Sequence, residues 1–272
     1  MASLAKPPCD AGVIEGRAKE RGGPSPESMG SPAAGKWVLA ATILGSSMVF
    51  IDGSVVNVAL PTIQSDLDAT SAQIQWVVES YALFLAALIL VGGSLGDHLG
   101  RRRIFVVGTV LFALTSIWCG LAPNVGNLIA ARAAQGIAGA LLTPASLAII
   151  SATFADDGER GRAIGTWSGF TAITAAFGPV LGGWLVENLS WRWIFFINVP
   201  LAAAVLGIAL TRVPESKDLT PGRLDWLGAG LVTVGLGALV FGLIEAPVDG
   251  WGDPLVLASL GIGVAGLVGF LL

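Results

Sequence analysis

Three ionisable residues lie inside long apolar segments of this 272-residue chain. Asp52 lies in WVLAATILGSSMVFIDGSVVNVALP, Glu79 in IQWVVESYALF and Arg132 in NLIAARAAQGIAGA. A charge at such a position is costly in a bilayer, so these residues usually face a protein interior or a watery cavity on an ion or substrate path. Burial disfavours a carboxylate, whereas a nearby guanidinium favours it. This competition predicts a carboxylate that binds and releases a proton.

The three residues are predicted to share one polar chamber. At about 1.5 Å per helical residue, each falls about 8 to 13 Å below the outer surface. Structural alternatives remain for each of them. Asp52 can simply bond a neighbouring helix, Glu79 can reach the membrane interface, and Arg132 can pair with a carboxylate without relaying protons.

The elements that must position these residues are membrane-spanning helices. Hydrophobic residues make up 54% of the chain and charged residues 12%, about half the charged share of a soluble domain. Lipid-exposed backbone must satisfy its own hydrogen bonds, and the strands of a barrel would alternate polar and apolar residues. An all-α membrane protein with eight spans of about 20 residues is predicted: Trp37–Leu60, Ile74–Leu95, Ile104–Leu121, Leu128–Ile150, Ala163–Val186, Trp193–Leu210, Trp226–Ile244 and Leu255–Leu272.

The basic residues predict the orientation of these spans. Positive charge marks the cytoplasmic side, and only Arg192 lies on the opposite side. We therefore expect a multi-pass protein of the plasma membrane with a cytoplasmic N-terminus. The thirteen residues on the cytoplasmic side are Lys6, Arg17, Lys19, Arg21, Lys36, Arg101, Arg102, Arg103, Arg160, Arg162, Arg212, Lys217 and Arg223.

The remaining composition excludes several other classes of protein. Residues 1–36 are rich in Gly, Pro, Ser and charge, which predicts a disordered cytoplasmic tail rather than a signal peptide. Two cysteines, Cys9 and Cys119, and a single histidine, His98, give neither a disulfide framework nor a metal cluster. We expect no cofactor beyond a proton gradient and no nucleic-acid partner.

Two polar segments 90 positions apart resemble each other: GGSLGDHLGRRRIF from Gly92 and GGWLVENLSWRWIF from Gly182. In this alignment Asp97 falls opposite Glu187. With about three spans between them, the copies would lie on opposite membrane faces, as in the inverted repeats of secondary transporters. Chance matching of Gly and Leu in so apolar a chain is the alternative.

The same segments resemble motifs of the major facilitator superfamily. GGSLGDHLGRRR is similar to the loop motif between its second and third helices, and RAAQGIAGA to its fourth-helix motif. GFTAITAAFGPVLGG is similar to the fifth-helix motif of drug:proton antiporters. IDGSVVNVALP, QWVVESY and WRWIFFINVP narrow the resemblance to the 14-helix drug:proton antiporter group. The resemblance covers about residues 37 to 272.

This resemblance implies an architecture. Residues 37–212 would form a six-helix bundle of two inverted three-helix repeats, residues 213–224 a cytoplasmic connector, and residues 225–272 two additional transmembrane helices. The chain is then the N-terminal portion of a transporter and ends without a second bundle. Because alternating access needs two bundles, we expect these 272 residues not to transport alone, and to associate with a C-terminal bundle or with themselves.

The motifs also predict roles for individual residues. Gly93 and Gly100 would allow a tight cytoplasmic turn and close helix approach. Asp97 would accept hydrogen bonds from Arg101 or from a helix of the other half and so latch one conformation, and a solvated run of loop charges is the alternative. The superfamily usually has Arg or Lys at the position of His98, so one charge of the latch is weakened. In the fifth span a kink and a smooth face are expected, formed by Gly178, Pro179, Gly182 and Gly183. By resemblance this face seals the two halves, and simple helix packing is the alternative.

The predicted function is proton-coupled efflux of amphipathic organic compounds, including cations, with Asp52 or Glu79 binding protons and substrate in turn. A solute:proton symporter of the same fold and a non-transporting membrane fragment or interaction protein are the alternatives. A membrane enzyme is disfavoured because the chain has no Ser-His-Asp or Cys-His arrangement and no phosphate-binding loop beside a strand.

Overall fold

The computed structural model describes residues 32–218 and 225–271. Most of the predicted N-terminal tail lies outside these residues, as does Arg223 of the connector. Within them the chain is helical apart from short turns and an extended segment at 213–218. The first helix already begins at Pro32, five residues before the predicted span.

Nine helices lie in the described part of the chain. Two of them, α6 and α7, meet at Ile197 and together make one crossing, so the helices provide eight segments long and apolar enough to span a membrane. All eight predicted spans are therefore confirmed. The helices are α1 Pro32–Asp66, α2 Ser71–Leu99, α3 Arg101–Gly120, α4 Val125–Thr153, α5 Asp157–Asn188, α6 Trp193–Phe196, α7 Asn198–Arg212, α8 Trp226–Asp249 and α9 Pro254–Leu271.

Most helices extend beyond the predicted apolar segments because polar residues form their first and last turns. Thr70 caps α2 through a capping box, in which its hydroxyl accepts from the Gln73 backbone N–H at 3.2 Å and the Gln73 side chain accepts from Thr70 at 2.9 Å. Asn124 caps α4 in a similar way, through its side-chain oxygen. These caps satisfy backbone N–H groups that would otherwise have no partner. An apolar count cannot detect such polar turns.

The first six spans form two inverted three-helix repeats. Helix α2 packs along α4 and α5 packs along α1, while α3 packs on α4 and α7 packs on α1. If spans one to three are exchanged with spans four to six, the contact of α2 with α4 becomes that of α5 with α1. The contact of α3 with α4 likewise becomes that of α7 with α1. The predicted fold class, a six-helix bundle with two further helices, is therefore confirmed.

Small residues bring the paired helices into backbone contact. A methyl group on Gly92 of α2 would collide with the carbonyl oxygen of Ala140 on α4, and one on Gly136 would collide with the Tyr81 carbonyl. Small residues at such positions are typical of membrane helix pairs. This close approach of α2 and α4 places Tyr81 directly beside the polar side chains of α4.

A polar layer separates two apolar clusters in the bundle. Asp52 lies on α1 between Val49, which belongs to the first cluster, and Val55, which belongs to the second. The first cluster also includes Met48, Phe105, Phe112 and Leu142, and the second includes Ile63, Leu128, Trp191 and Phe195. Apolar packing on both sides isolates this layer from bulk water.

Helices α8 and α9 pack on each other, and α8 packs on α2. The Trp76 indole N–H donates to Glu245 Oε1 at 3.3 Å, and the Trp76 and Phe241 ring centroids are 6.2 Å apart. The pair is thus attached to the bundle through α2.

Candidate functional site

An ion pair between Asp52 and Arg132 forms the centre of the polar layer. Arg132 Nη1 donates to Asp52 Oδ2, and both side chains are fully buried, Asp52 with 0% and Arg132 with 1% exposure. The other carboxylate oxygen, Oδ1, accepts from Gln135 Nε2 at 2.9 Å and from Asn198 Nδ2 at 3.0 Å. Both oxygens of a buried charge are therefore hydrogen-bonded, as the cost of desolvation requires.

Helix α3 completes this site. Ser116 Oγ accepts from Gln135 Nε2 at 2.9 Å and from Asn198 Nδ2 at 3.2 Å. The Cys119 thiol contacts Gln135 Oε1 at 3.5 Å. We call these six residues, from α1, α3, α4 and α7, the Asp52 cluster: Asp52, Ser116, Cys119, Arg132, Gln135 and Asn198.

Helix α2 holds the guanidinium of Arg132 from the other side. Arg132 Nε donates to the Val77 carbonyl at 3.1 Å, and its guanidinium carbon lies 4.1 Å from the centroid of the Tyr81 ring. The Tyr81 hydroxyl donates to the Val49 carbonyl at 3.0 Å. A desolvated cation over an aromatic face gains about 2 kcal/mol or more. Tyr81 therefore contacts both the guanidinium and the helix that carries Asp52.

Glu79 does not join this cluster. It lies about 200° around α2 from both Val77 and Tyr81, because each residue advances an α-helix by about 100°. Its side chain is half-buried and makes no hydrogen bond or ion pair with any residue that the structure describes. The predicted chamber thus contains Asp52 and Arg132 but not Glu79.

Asp52 lies farther from the end of α1 than its apolar segment indicates, because the helix is longer than that segment. The helix continues from Leu60 to Asp66, which leaves about 21 Å between Asp52 and its end at 1.5 Å per residue. Arg132 lies about 10 Å from the start of α4 by the same measure. Their contact shows that α1 extends farther than α4 at that face of the bundle.

A cavity of about 450 Å³ opens next to the Asp52 cluster. Tyr81 lies on its wall, whereas Asp52 is not among its lining residues. The Thr143 hydroxyl at this wall has no hydrogen-bond partner among the described residues. The wall is uncharged and mostly apolar, and consists of Val49, Phe50, Gly53, Ser54, Asn57, Tyr81, Leu85, Ile89 and Thr143.

The predicted latch lies at the junction of α2 and α3. Gly100 has a φ of +111°, which favours glycine, and forms the turn. Arg101 donates to Asp97 Oδ1 from Nε at 3.0 Å and from Nη2 at 2.9 Å. Gly93 lies inside α2 next to Pro144 of α4, so it packs helices and does not shape the turn. His98 Nδ1 lies 2.8 Å from the Ser94 carbonyl of its own helix.

The connector after α7 covers this turn. Glu215 Oε1 accepts from the backbone N–H of Arg102 at 3.1 Å, and Arg101 N donates to the Ser216 carbonyl at 2.8 Å. A carboxylate at the N-terminus of α3 is favoured by the free N–H groups of that first turn. No motif in the sequence predicts this contact.

Two glycines of α5, Gly178 and Gly182, pack inside the bundle. Methyl groups on Gly178 and Gly182 would collide with Ser54 and Val55 of α1. Two of the four residues of the predicted face, Gly178 and Gly182, are therefore covered by α1. Pro179 is exposed on α5 and Gly183 is half-buried.

The opposite face of the bundle has an ion pair of its own. Asp66 Oδ2 accepts from Trp191 Nε1 and from Arg192 Nη1, both at 2.8 Å. Glu187, which the repeat alignment matched to Asp97, is exposed and makes no such contact among the described residues. The repeat thus holds for the helix packing but not for this carboxylate.

Four members of the Asp52 cluster were not predicted from the sequence. Gln135 follows Arg132 by three residues, a spacing that puts both side chains on one face of α4. Asn198 breaks an apolar segment in WRWIFFINVP, and it was quoted only as part of a motif. Ser116 and Cys119 share a face of α3 but are too small and neutral to stand out.

In the described ranges, no group of three His, Cys, Asp or Glu side chains could hold a metal ion.

Comparisons with known proteins agree with this architecture. The Multidrug resistance protein Stp of Mycobacterium tuberculosis is 43% identical over 228 residues, covering 84% of this chain and 42% of that protein. The Puromycin resistance protein pur8 of Streptomyces alboniger is 43% identical over 240 residues, covering 87% of this chain and 47% of that protein. The Tetracenomycin C resistance and export protein of Streptomyces glaucescens is 39% identical over 248 residues, covering 89% of this chain and 46% of that protein. The chain thus spans less than half the length of these relatives.

A solved structure shares the fold. The bacterial homologue of the human lysosomal transporter Spinster, in an inward-facing and unoccupied conformation, superposes with a TM-score of 0.56 at 21% identity, covering 89% of this chain and 61% of that one. The sequence profile of the Major Facilitator Superfamily matches residues 42–272. With eight apolar helices, inverted repeats and these relatives, the chain belongs to the Major Facilitator Superfamily.

Proposed function

We propose that this chain forms the proton-binding portion of a drug:proton antiporter that exports amphipathic organic compounds across the plasma membrane. The observation that carries the proposal is the fully buried Asp52 carboxylate, bonded to Arg132, Gln135 and Asn198. A carboxylate at this depth is either charged and paired or neutral and protonated. It is therefore a two-state proton site.

Tyr81 links this proton site to the cavity. Protonation of Asp52 removes the negative partner of Arg132, so the guanidinium then depends more on the Tyr81 ring beneath it. Because Tyr81 also lines the cavity, a change in its position alters the surface offered to substrate. Proton and substrate are then coupled through a shared side chain, and direct competition for Asp52 is not needed.

The cavity wall favours a particular class of substrate. Apolar side chains with a few neutral hydrogen-bonding groups, from Ser54, Asn57 and Thr143, suit lipophilic compounds with scattered polar atoms. The names of two relatives, which concern puromycin and tetracenomycin C, agree with such a class. A cationic group on the substrate would need a partner outside this wall.

We further propose that transport requires a second bundle, since the relatives are about twice as long as the matched region. Alternating access involves two bundles that rock about a shared site. We use the term full-length transporter for this chain joined to such a bundle. The lipid bilayer, protons and the substrate are its partners, and α8 and α9 correspond to the extra pair of a 14-helix antiporter.

Transport against an imposed pH gradient distinguishes antiport from symport. In everted membrane vesicles with an acidic lumen, the full-length transporter should accumulate substrate in the lumen as protons leave. Collapse of the pH gradient with nigericin should release it. Proton-dependent loss of substrate from the lumen would instead establish a symporter, and accumulation that survives nigericin would exclude proton coupling.

The proposed orientation is tested by cysteine labelling in a Cys9→Ala background. Ser71 is exposed at the start of α2, and Gly161 is exposed near the start of α5 with open space around it. A membrane-impermeant thiol reagent added to intact cells should label Ser71→Cys and leave Gly161→Cys unlabelled until the cells are opened. The reverse pattern would show that the N-terminus is outside.

A further inference from the structure

One atom of the Asp52 cluster has no hydrogen-bond partner among the residues that the structure describes. It is the side-chain oxygen Oδ1 of Asn198, which is fully buried. The Nδ2 group of the same amide donates both to Asp52 Oδ1 at 3.0 Å and to Ser116 Oγ at 3.2 Å. An unused buried acceptor beside a hydrogen-bonded carboxylate is unfavourable. It points to a second arrangement in which this oxygen is used.

Protonation of Asp52 creates the need for such an acceptor. Oδ1 of the carboxylate now faces the N–H groups of Gln135 and Asn198, whereas Oδ2 is bonded to Arg132. A proton on Oδ1 converts that atom into a donor facing two donors. Gln135 cannot turn to accept it, because Gln135 Oε1 already accepts from Arg132 at 2.7 Å and contacts the Cys119 thiol. Asn198 has the spare acceptor.

A reversal of the Asn198 amide supplies the acceptor that a protonated Asp52 needs. Rotation about its terminal torsion, which is soft and nearly two-fold, exchanges Nδ2 and Oδ1. The oxygen then accepts from the Asp52 O–H and from the Ser116 hydroxyl. Ser116 accepts two N–H donors in the present arrangement, so its own hydroxyl proton is available for this bond. The bond to Asp52 thus favours one amide orientation for the charged carboxylate and the other for the acid, and in the second orientation Nδ2 takes the place where Oδ1 now has no partner.

We propose that Asn198 is a positioning residue that reverses its amide when Asp52 takes up a proton, and so passes the protonation state to the junction of α6 and α7. This inference rests on the proposed proton site at Asp52. Asn198 is the first residue of α7, and the short α6 before it carries Phe195, whose ring lies 5.8 Å from the Arg132 guanidinium carbon. The junction therefore contacts both partners of the ion pair.

The groups that face Asp52 from the neighbouring helices favour this assignment. The charged or titratable ones are Arg132 on α4, Tyr81 on α2 and Cys119 on α3. Helix α5 meets α1 near this level through Gly178, which does not titrate. Asn198 is then the neutral group from α7 that contacts the titrating atom directly.

Infrared difference spectroscopy on the purified protein in lipid tests the inference without transport. Acidification should produce a carboxylic acid C=O band that is absent in Asp52→Asn. In Asn198→Leu this band should shift to higher frequency, because the acid O–H loses its acceptor. Asn188→Leu, which alters an exposed amide bonded within α5, should leave the band in place. With isotope-labelled Asn amides, one labelled C=O band of the wild type should move on acidification but not in Asp52→Asn.

A transport assay separates positioning from a merely structural role. In the full-length transporter, Asn198→Leu should lower proton-driven efflux about tenfold, roughly the factor for one buried hydrogen bond. The same substitution should cause no further loss of downhill exchange in the Asp52→Asn background, because Asn198 acts through Asp52. A loss of downhill exchange when Asn198→Leu is added to Asp52→Asn would overturn the inference.

The outcomes distinguish the two proposals. If Asp52→Asn leaves the acid band unchanged, the proton site itself is misassigned. The acid band can also depend on Asp52 but stay in place in Asn198→Leu, with no shift of a labelled amide band in the wild type. In that case the proton site at Asp52 stands and the role of Asn198 is refuted. The labelled wild-type spectrum decides this point even if Asn198→Leu does not fold.

Discussion

Asp52→Asn in the full-length transporter should reduce proton-driven efflux to the level of vesicles that lack the protein. The amide has nearly the same size as the carboxylate and still accepts hydrogen bonds from Gln135 and Asn198, but it cannot bind a proton in the range where the carboxylate does. The substitution also leaves Arg132 buried without its anion, which should lower stability, whereas the protein that does insert should have lost coupling. Efflux under an imposed pH gradient, compared at equal expression, measures this effect.

Glu79→Gln is the matched control, since it makes the same chemical change on a half-buried side chain outside the Asp52 cluster. It should cost much less activity. Downhill exchange of substrate without a pH gradient should survive in Asp52→Asn, because the cavity wall does not include that residue. Normal efflux by Asp52→Asn at normal expression would exclude Asp52 as the proton carrier.

Arg132→Met should be strongly destabilising. It leaves the Asp52 carboxylate buried without its cation, a change that costs about 3 to 5 kcal/mol in a buried pair. It also removes the hydrogen bonds to Val77 and Gln135 and the contact with the Tyr81 ring. The midpoint of thermal unfolding in detergent should fall accordingly.

Two comparisons make this second result specific. Arg160→Met breaks a partly exposed pair with Asp157, which is worth about 0 to 1 kcal/mol, so its midpoint should change little. Adding Asp52→Asn to Arg132→Met removes the unpaired charge and should recover part of the lost stability. Similar midpoints for Arg132→Met and Arg160→Met would contradict a buried ion pair.

The fold was predictable from the sequence because membrane helices are defined by composition. The eight spans follow from apolar length, and the repeat from two related segments. The helix ends did not follow, because polar caps such as Thr70 and a helical extension such as that from Leu60 to Asp66 leave no hydropathy signal. Composition does not identify packing partners either. Gly178 was expected to face a second bundle, whereas in the structure α1 covers it.

The site was predictable only where a full charge interrupts an apolar segment. Asp52 and Arg132 are such residues, and they meet. Glu79 was placed in the same chamber because residue type and depth do not report which side of the helix a residue occupies. Asn198, Ser116 and Gln135 are neutral, and membrane helices tolerate neutral polar residues for ordinary packing. Their role follows only from their hydrogen bonds to Asp52 and to one another.

The attachment of α8 to α2 through Trp76 and Glu245 has a consequence for topology. Trp76 and Leu83, which contact α8, lie on a different side of α2 from the cavity residues Tyr81 and Leu85. The pair also crosses the bilayer once in each direction, so the two crossings cancel. The gain or loss of such a pair would therefore leave the orientation of the other spans and the wall of this cavity unchanged.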